Sequence, residues 1–144
     1  MKVLVSACLV GENCKYNGGN NYDEQVMEFL KGKEAILICP ELLAGLGAPR
    51  NSCEIVNGRV FDNQGNDLDE AFREGVRLSL QKIGDGTIDL AILQPRSPTC
   101  GVHQIYDGTF TGKLIPGQGV FAAELIKNGV RVIEPSELQT IPEE

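Results

Sequence analysis

Three cysteines occur where a short apolar run gives way to a loop built around proline or glycine. Val3-Leu4-Val5 leads through Ser6-Ala7 to Cys8, and Ile36-Leu37-Ile38 leads directly to Cys39-Pro40-Glu41. Leu90-Ala91-Ile92-Leu93 breaks at Gln94-Pro95-Arg96-Ser97-Pro98-Thr99 and arrives at Cys100-Gly101. Runs of this length and flanking are what a buried strand needs, and the two prolines of the third loop stop both helix and ladder. A strand end that presents a thiol on a rigid loop suits a nucleophile or a metal ligand. Taken singly, each cysteine also reads as a small buried hydrophobe, and the gaps between them match no CxxC signature. Their shared placement at strand ends carries the stronger signal.

Three thiolates select among metals. Structural zinc takes a fourth protein ligand, and the lone His103, three residues past Cys100, is available for it or for a loop hydrogen bond. A [4Fe–4S] cluster on three cysteines instead leaves one iron open, a Lewis acid with affinity for sulfur. Cys14 sits in a glycine-rich loop and Cys53 opens a hairpin strand that reads as inert, so both stay outside the expected ligand set. An odd count of five cysteines, without a secretion signal, argues against a disulfide scaffold and for reduced thiols in a cytoplasmic protein.

The elements that must position these residues alternate. Strands are expected over residues 2–6, 35–38, 90–93 and 130–133, and helices over 24–31, 68–83 and 119–128. Asp23 caps the first helix, and Asp67 with Glu70 forms a capping-box-like start to the second. Asn57-Gly58 sets a hairpin between Cys53 and Phe61, whereas residues 105–112 read only as turn formers. Gly84-Asp85-Gly86 ends the second helix. This order predicts an α/β fold: a single Rossmann-like domain over residues 1–135, with a mainly parallel sheet flanked by helices and a small β-hairpin insertion. Residues 136–144, acidic and containing Pro142, are expected to fray. Ligands of such sheets bind outside the carboxyl ends of the strands, which puts all three cysteines on the functional edge.

Bulk properties narrow the partners. The chain of 144 residues is 42% hydrophobic and 23% charged, ordinary for a globular protein, and its net charge of −7 disfavours nucleic acid or an anionic membrane. Aromatic residues make up 6% and tryptophan is absent, so no stacking platform for single strands is visible. No apolar run approaches the roughly 18–20 residues of a membrane span.

At SACLVGENCKYNG, CPELLAGLGAPR and LQPRSPTCG followed by IYDGTFTG, the sequence resembles the bacterial thiouracil desulfidase family across about residues 2–133. It departs at Gln94, where the family pattern suggests lysine, at Thr99, where serine is commoner, and in Leu42-Leu43-Ala44. The resemblance implies a [4Fe–4S] cluster on Cys8, Cys39 and Cys100 with the fourth iron free, and Glu41 and Ser97 beside the reacting centre. The implied activity is non-redox C–S hydrolysis that removes sulfur from a thiolated pyrimidine and releases hydrosulfide. The substrate expected is a small thiolated base or nucleoside. By position, Tyr16, Tyr106, Asp107 and Gly108 are expected to line the substrate pocket and Arg50 to orient a carbonyl. Two other readings stay open: a cluster-binding or sulfur-carrier module without turnover, and a metal-free enzyme with Cys100 as nucleophile.

Overall fold

The structure is a computed structural model and describes residues 1–84 and 86–141. Asp85 and Pro142, named above for a helix end and for the tail, lie outside the described residues. Along the chain run β1 (Lys2–Ser6), α1 (Glu24–Leu30), β2 (Glu34–Ile38), α2 (Pro40–Leu43), β3 (Cys53–Val56), β4 (Arg59–Asp62) and α3 (Asp69–Ile83). Then follow β5 (Leu90–Ile92), β6 (Gln104–Tyr106), β7 (Leu114–Pro116), α4 (Val120–Lys127) and β8 (Val132–Ile133). Four strands form a parallel sheet in the order β2-β1-β5-β8, and β3-β4 and β6-β7 are separate antiparallel hairpins.

Period-two alternation divides β1 between two cores. Leu4 packs with Phe72, Ala91, Phe121 and Leu125 on the α3–α4 side. Val3 and Val5 pack with Val26, Ile92 and Ile133 on the α1 side. Both faces of the sheet are covered, as an all-parallel sheet requires. Asp23 caps α1 as expected, accepting from the backbone N–H of Gln25 (2.9 Å) and Val26 (3.1 Å). The β3–β4 turn places Asn57 and Gly58 at φ 48° and 79°, the primed turn that matches strand twist.

Three expectations need correction. The Asp67–Glu70 capping box does not form. Arg59 on the hairpin takes the Asp67 carboxylate (2.9 Å), and α3 starts two residues later. Among the described residues the tail is not frayed: Pro135–Thr140 form a 3-10 helix with a Glu134–Glu137 capping box. Its Leu138 and the following Ile141 pack against the Val3–Val26 core, so apolar burial outweighs the local acidity. Residues 105–112, read as turn formers, connect into the β6–β7 hairpin.

Candidate functional site

β2, β1 and β5 are neighbours in the sheet, and each delivers a cysteine beyond its carboxyl end. The chain steps from β1 outward to β2 and then crosses back to β5 on the other side of β1, so this edge is a switch point of the topology. Cys8 sits in the 3-10 helix Ala7–Val10 that follows β1 directly. Cys39 is the N-cap of α2, with Pro40 at the first helical position. There α3 comes so close that a side chain on Gly75 would collide with the Pro40 carbonyl.

Cys100 is held by backbone. The Ser97 hydroxyl oxygen accepts from the N–H groups of Thr99 and Cys100, both at 3.0 Å. The orphan N–H groups at the start of α4 donate to the same loop: Val120 to Pro98 O and Phe121 to Thr99 O, both at 2.9 Å. Gly119 donates to Gly101 O at 2.8 Å, and any Cβ there would overlap the Thr99 carbonyl.

All five cysteines line one cavity of about 530 Å³, within the range of small-molecule sites. Cys14, kept outside the ligand set by the sequence reading, is buried and lies beside the thiols of Cys8 and Cys39. The fold-back of residues 11–21 puts it there, through Asn21 N–H to Cys8 O (2.9 Å) and the Asn21 amide to Cys8 Sγ (3.5 Å). Cys53, read as inert, also lines the cavity. The neighbouring Cys14 thiol lowers the Cys8 thiol to about 7 against opposing burial, and lowers Cys39 likewise. Cys14 itself is raised, chiefly by the thiols it serves. Burial pushes Cys53 up to about 12 and Cys100 well above its ordinary value. A buried thiol so held is a poor nucleophile, which weighs against attack by Cys100 without a metal.

Glu41 reaches the cavity from the first turn of α2, and both its oxygens are engaged. Oε1 accepts from the Thr99 hydroxyl at 3.0 Å, and Oε2 pairs with Arg50. Ser97, Tyr16 and Tyr106 line the same cavity. Arg50 lines it too, but its guanidinium is committed to Glu41, to Cys14 O (3.1 Å) and to Gly47 O (2.6 Å), so it braces the site rather than standing free to orient a carbonyl.

Asp107 and Gly108 stand behind the wall. Asp107 Oδ1 accepts from Thr109 N (2.9 Å), and Gly108 N donates to Glu54 Oε1 (3.0 Å), while Phe110 and Gly112 of the same loop face the cavity instead. His103 turns away and meets Glu137 at 2.7 Å, so it does not complete a zinc site with Cys100. Thr99 and Cys14 are among the cavity residues that sequence reasoning left out of the site, as are Cys53 and Phe110. Thr99 carried a signal in its place between Ser97 and Cys100, but the signal for Cys14 lies only in how its loop returns to Cys8.

Soft sulfur donors on three neighbouring strand ends, with the Asn21 amide donating to the Cys8 sulfur, fit an iron–sulfur centre in donor chemistry.

A family model described as 2-thiouracil desulfurase matches residues 3–137. The chain is 38% identical over 149 residues to the protein YbbK of Bacillus subtilis (strain 168), described there as uncharacterized, covering 96% of this chain and 99% of that one. Among solved structures it resembles the [4Fe–4S]-dependent thiouracil desulfidase TudS, with a TM-score of 0.89 and 32% identity, covering 96% of this chain and 93% of the other.

Proposed function

The chain belongs to the 2-thiouracil desulfurase family, and from that membership we propose that it is a [4Fe–4S]-dependent desulfidase acting on a thiolated pyrimidine. The reaction exchanges C=S for C=O: water adds its oxygen at carbon, sulfur departs as hydrosulfide, one proton is released, and no electrons change hands. Cys8, Cys39 and Cys100 would hold the cluster, a reading supported by their position around one cavity at the strand ends. When bound, the cluster supplies a Lewis acid with affinity for sulfur at the iron that three-cysteine ligation leaves open.

The remaining work falls to the chain. Glu41 moves the protons, as base toward water or as acid toward a ring nitrogen. Thr99 and Arg50 hold its carboxylate in one orientation. A hydroxyl has two acceptor lone pairs and one donor hydrogen. Two backbone N–H groups already occupy the Ser97 oxygen, so toward the cavity Ser97 acts as donor, to water or to a ring heteroatom. Tyr16, Tyr106 and Phe110 supply aromatic surface for a flat ring. The substrate we assign is a small thiolated base or nucleoside. The setting we assign is the cytoplasm, where free thiols such as these stay reduced.

The observation that carries this reading is that a carboxylate and a hydroxyl share one cavity with three strand-end thiols, an arrangement a passive sulfur carrier has no use for. The test is anaerobic purification followed by iron, labile sulfide and turnover measurements on 2-thiouracil and 4-thiouracil. We expect brown protein that releases sulfide from a thiolated base, and a Glu41→Ala variant that stays brown but idle. Brown protein without sulfide release from any thiolated base or nucleoside would make it a carrier. Colourless, iron-free protein from the same preparation would overturn the cluster assignment.

A further inference from the structure

We propose that Thr99 is a positioning residue that sets the Glu41 carboxylate and the Ser97 hydroxyl relative to one another, an inference resting on the desulfidase reading of those two groups. Thr99 is 1% exposed and touches both. Its backbone N–H donates to Ser97 Oγ at 3.0 Å, and its hydroxyl donates to Glu41 Oε1 at 3.0 Å. Ser97, in the loop after β5, and Glu41, in the first turn of α2 after β2, are 56 residues apart in sequence, and nothing else among the described hydrogen bonds joins them. The Thr99 backbone is itself fixed, because its carbonyl takes the Phe121 and Ala122 N–H groups at 2.9 and 3.2 Å. The β-branched side chain has a stiff χ1. A stiff side chain on a clamped backbone points its hydroxyl at one place, and Glu41 must meet it there. Arg50 holds the second carboxylate oxygen but also the Cys14 loop, so only Thr99 can be altered without loosening a cysteine.

Thr99→Val keeps the β-branched shape and the backbone N–H but sets a methyl group where the hydroxyl faced Glu41. The Glu41 oxygen then loses its partner, and the carboxylate reorients. A displacement of about 1 Å at a reacting group costs on the order of 10²-fold, so we expect kcat to fall about 10- to 100-fold with KM little changed. Thr99→Ser, which restores the donor, should recover most of kcat. In a Glu41→Gln background, Thr99→Val should add little, because the two act as a unit. Iron per chain should stay at the parent value while the melting temperature falls by a few degrees for the lost hydrogen bond, and if Val disturbs folding, Thr99→Ala removes the same hydroxyl with less bulk. Unchanged kcat in the hydroxyl-free variant, beside an inactive Glu41→Gln, overturns the inference while the desulfidase reading stands. Serine as damaging as valine, or a loss that tracks iron content, makes Thr99 a structural brace and also overturns it. A fully active Glu41→Gln overturns both.

Discussion

The Cys100 thiol owes its position to main-chain contacts, and Gly119 is the residue that permits them. Its φ of −68° is ordinary, so the requirement is space and not conformation. A methyl group there would meet the Thr99 carbonyl and, at 2.7 Å, the Cys100 nitrogen. Gly119→Ala must therefore push the Pro98–Gly101 carbonyls off the start of α4. Overpacking of this kind costs about 1–3 kcal/mol. The variant should melt several degrees lower, and it should hold less iron per chain than the parent after identical anaerobic reconstitution. An unchanged iron content would mean that the Cys100 loop can shift without consequence. At this scale the sequence was informative where a thiol or polar side chain sits beside a structural break: Cys8, Cys39, Cys100, Glu41 and Ser97 each adjoin a strand end and a turn, and the structure gathers them around one cavity. Cys14 was not legible in the same way, because its contact with Cys8 and Cys39 depends on a loop closing through Asn21. Arg50 was read as free, since no local pattern shows that a cation is already matched to a carboxylate nine residues earlier.

Between elements, the two hairpins form a wall of the cavity, and Glu54 joins them. This carboxylate on β3 is 9% exposed and accepts from Gly108 N at 3.0 Å and Phe110 N at 3.1 Å. It fixes the connection between β6 and β7 against the first hairpin, and through it the wall that carries Tyr106 and Phe110. Hydrogen bonds to a charged acceptor contribute about 1.5–3 kcal/mol each. Glu54→Ala should accordingly accelerate amide exchange at Gly108 and Phe110. It should raise KM for the thiolated base about 3- to 10-fold, at roughly 1.4 kcal/mol per decade, with kcat less affected because Glu41 and Ser97 lie on other elements. Fast exchange without a change in KM would mean that this wall does not contact substrate. The parallel sheet and α1, α3 and α4 were legible because their apolar periodicity is long enough to declare itself. The β6–β7 hairpin was hidden because each strand has three residues and the connection between them is rich in turn formers, so neither alternation nor a two-residue turn was available to mark it.

For the molecule as a whole, an acidic chain with net charge −7 leaves acid stability to those carboxylates that the fold holds ionised. Asp62, at the end of β4, is buried and ringed by donors: Asn66 side chain and backbone at 2.9 Å each, Gln64 N at 2.9 Å and the Asn51 amide at 3.3 Å. The Asn66 side chain is the largest cause, and together the donors hold the Asp62 carboxyl down to about 2. In the unfolded chain the same group titrates near 3.9. A carboxyl whose folded value is depressed adds stability above its unfolded value and loses it as pH falls toward the folded one. The Asp62 contribution should thus be complete at neutral pH, erode from about pH 4 downward and be nearly gone near pH 2. Asp62→Asn removes that ionisation: the variant should melt below the parent at pH 7, and the gap should close as both are titrated from pH 5 to pH 2. A melting gap that stays constant through the titration would show that Asp62 acts through shape and packing, with the charge contributing nothing.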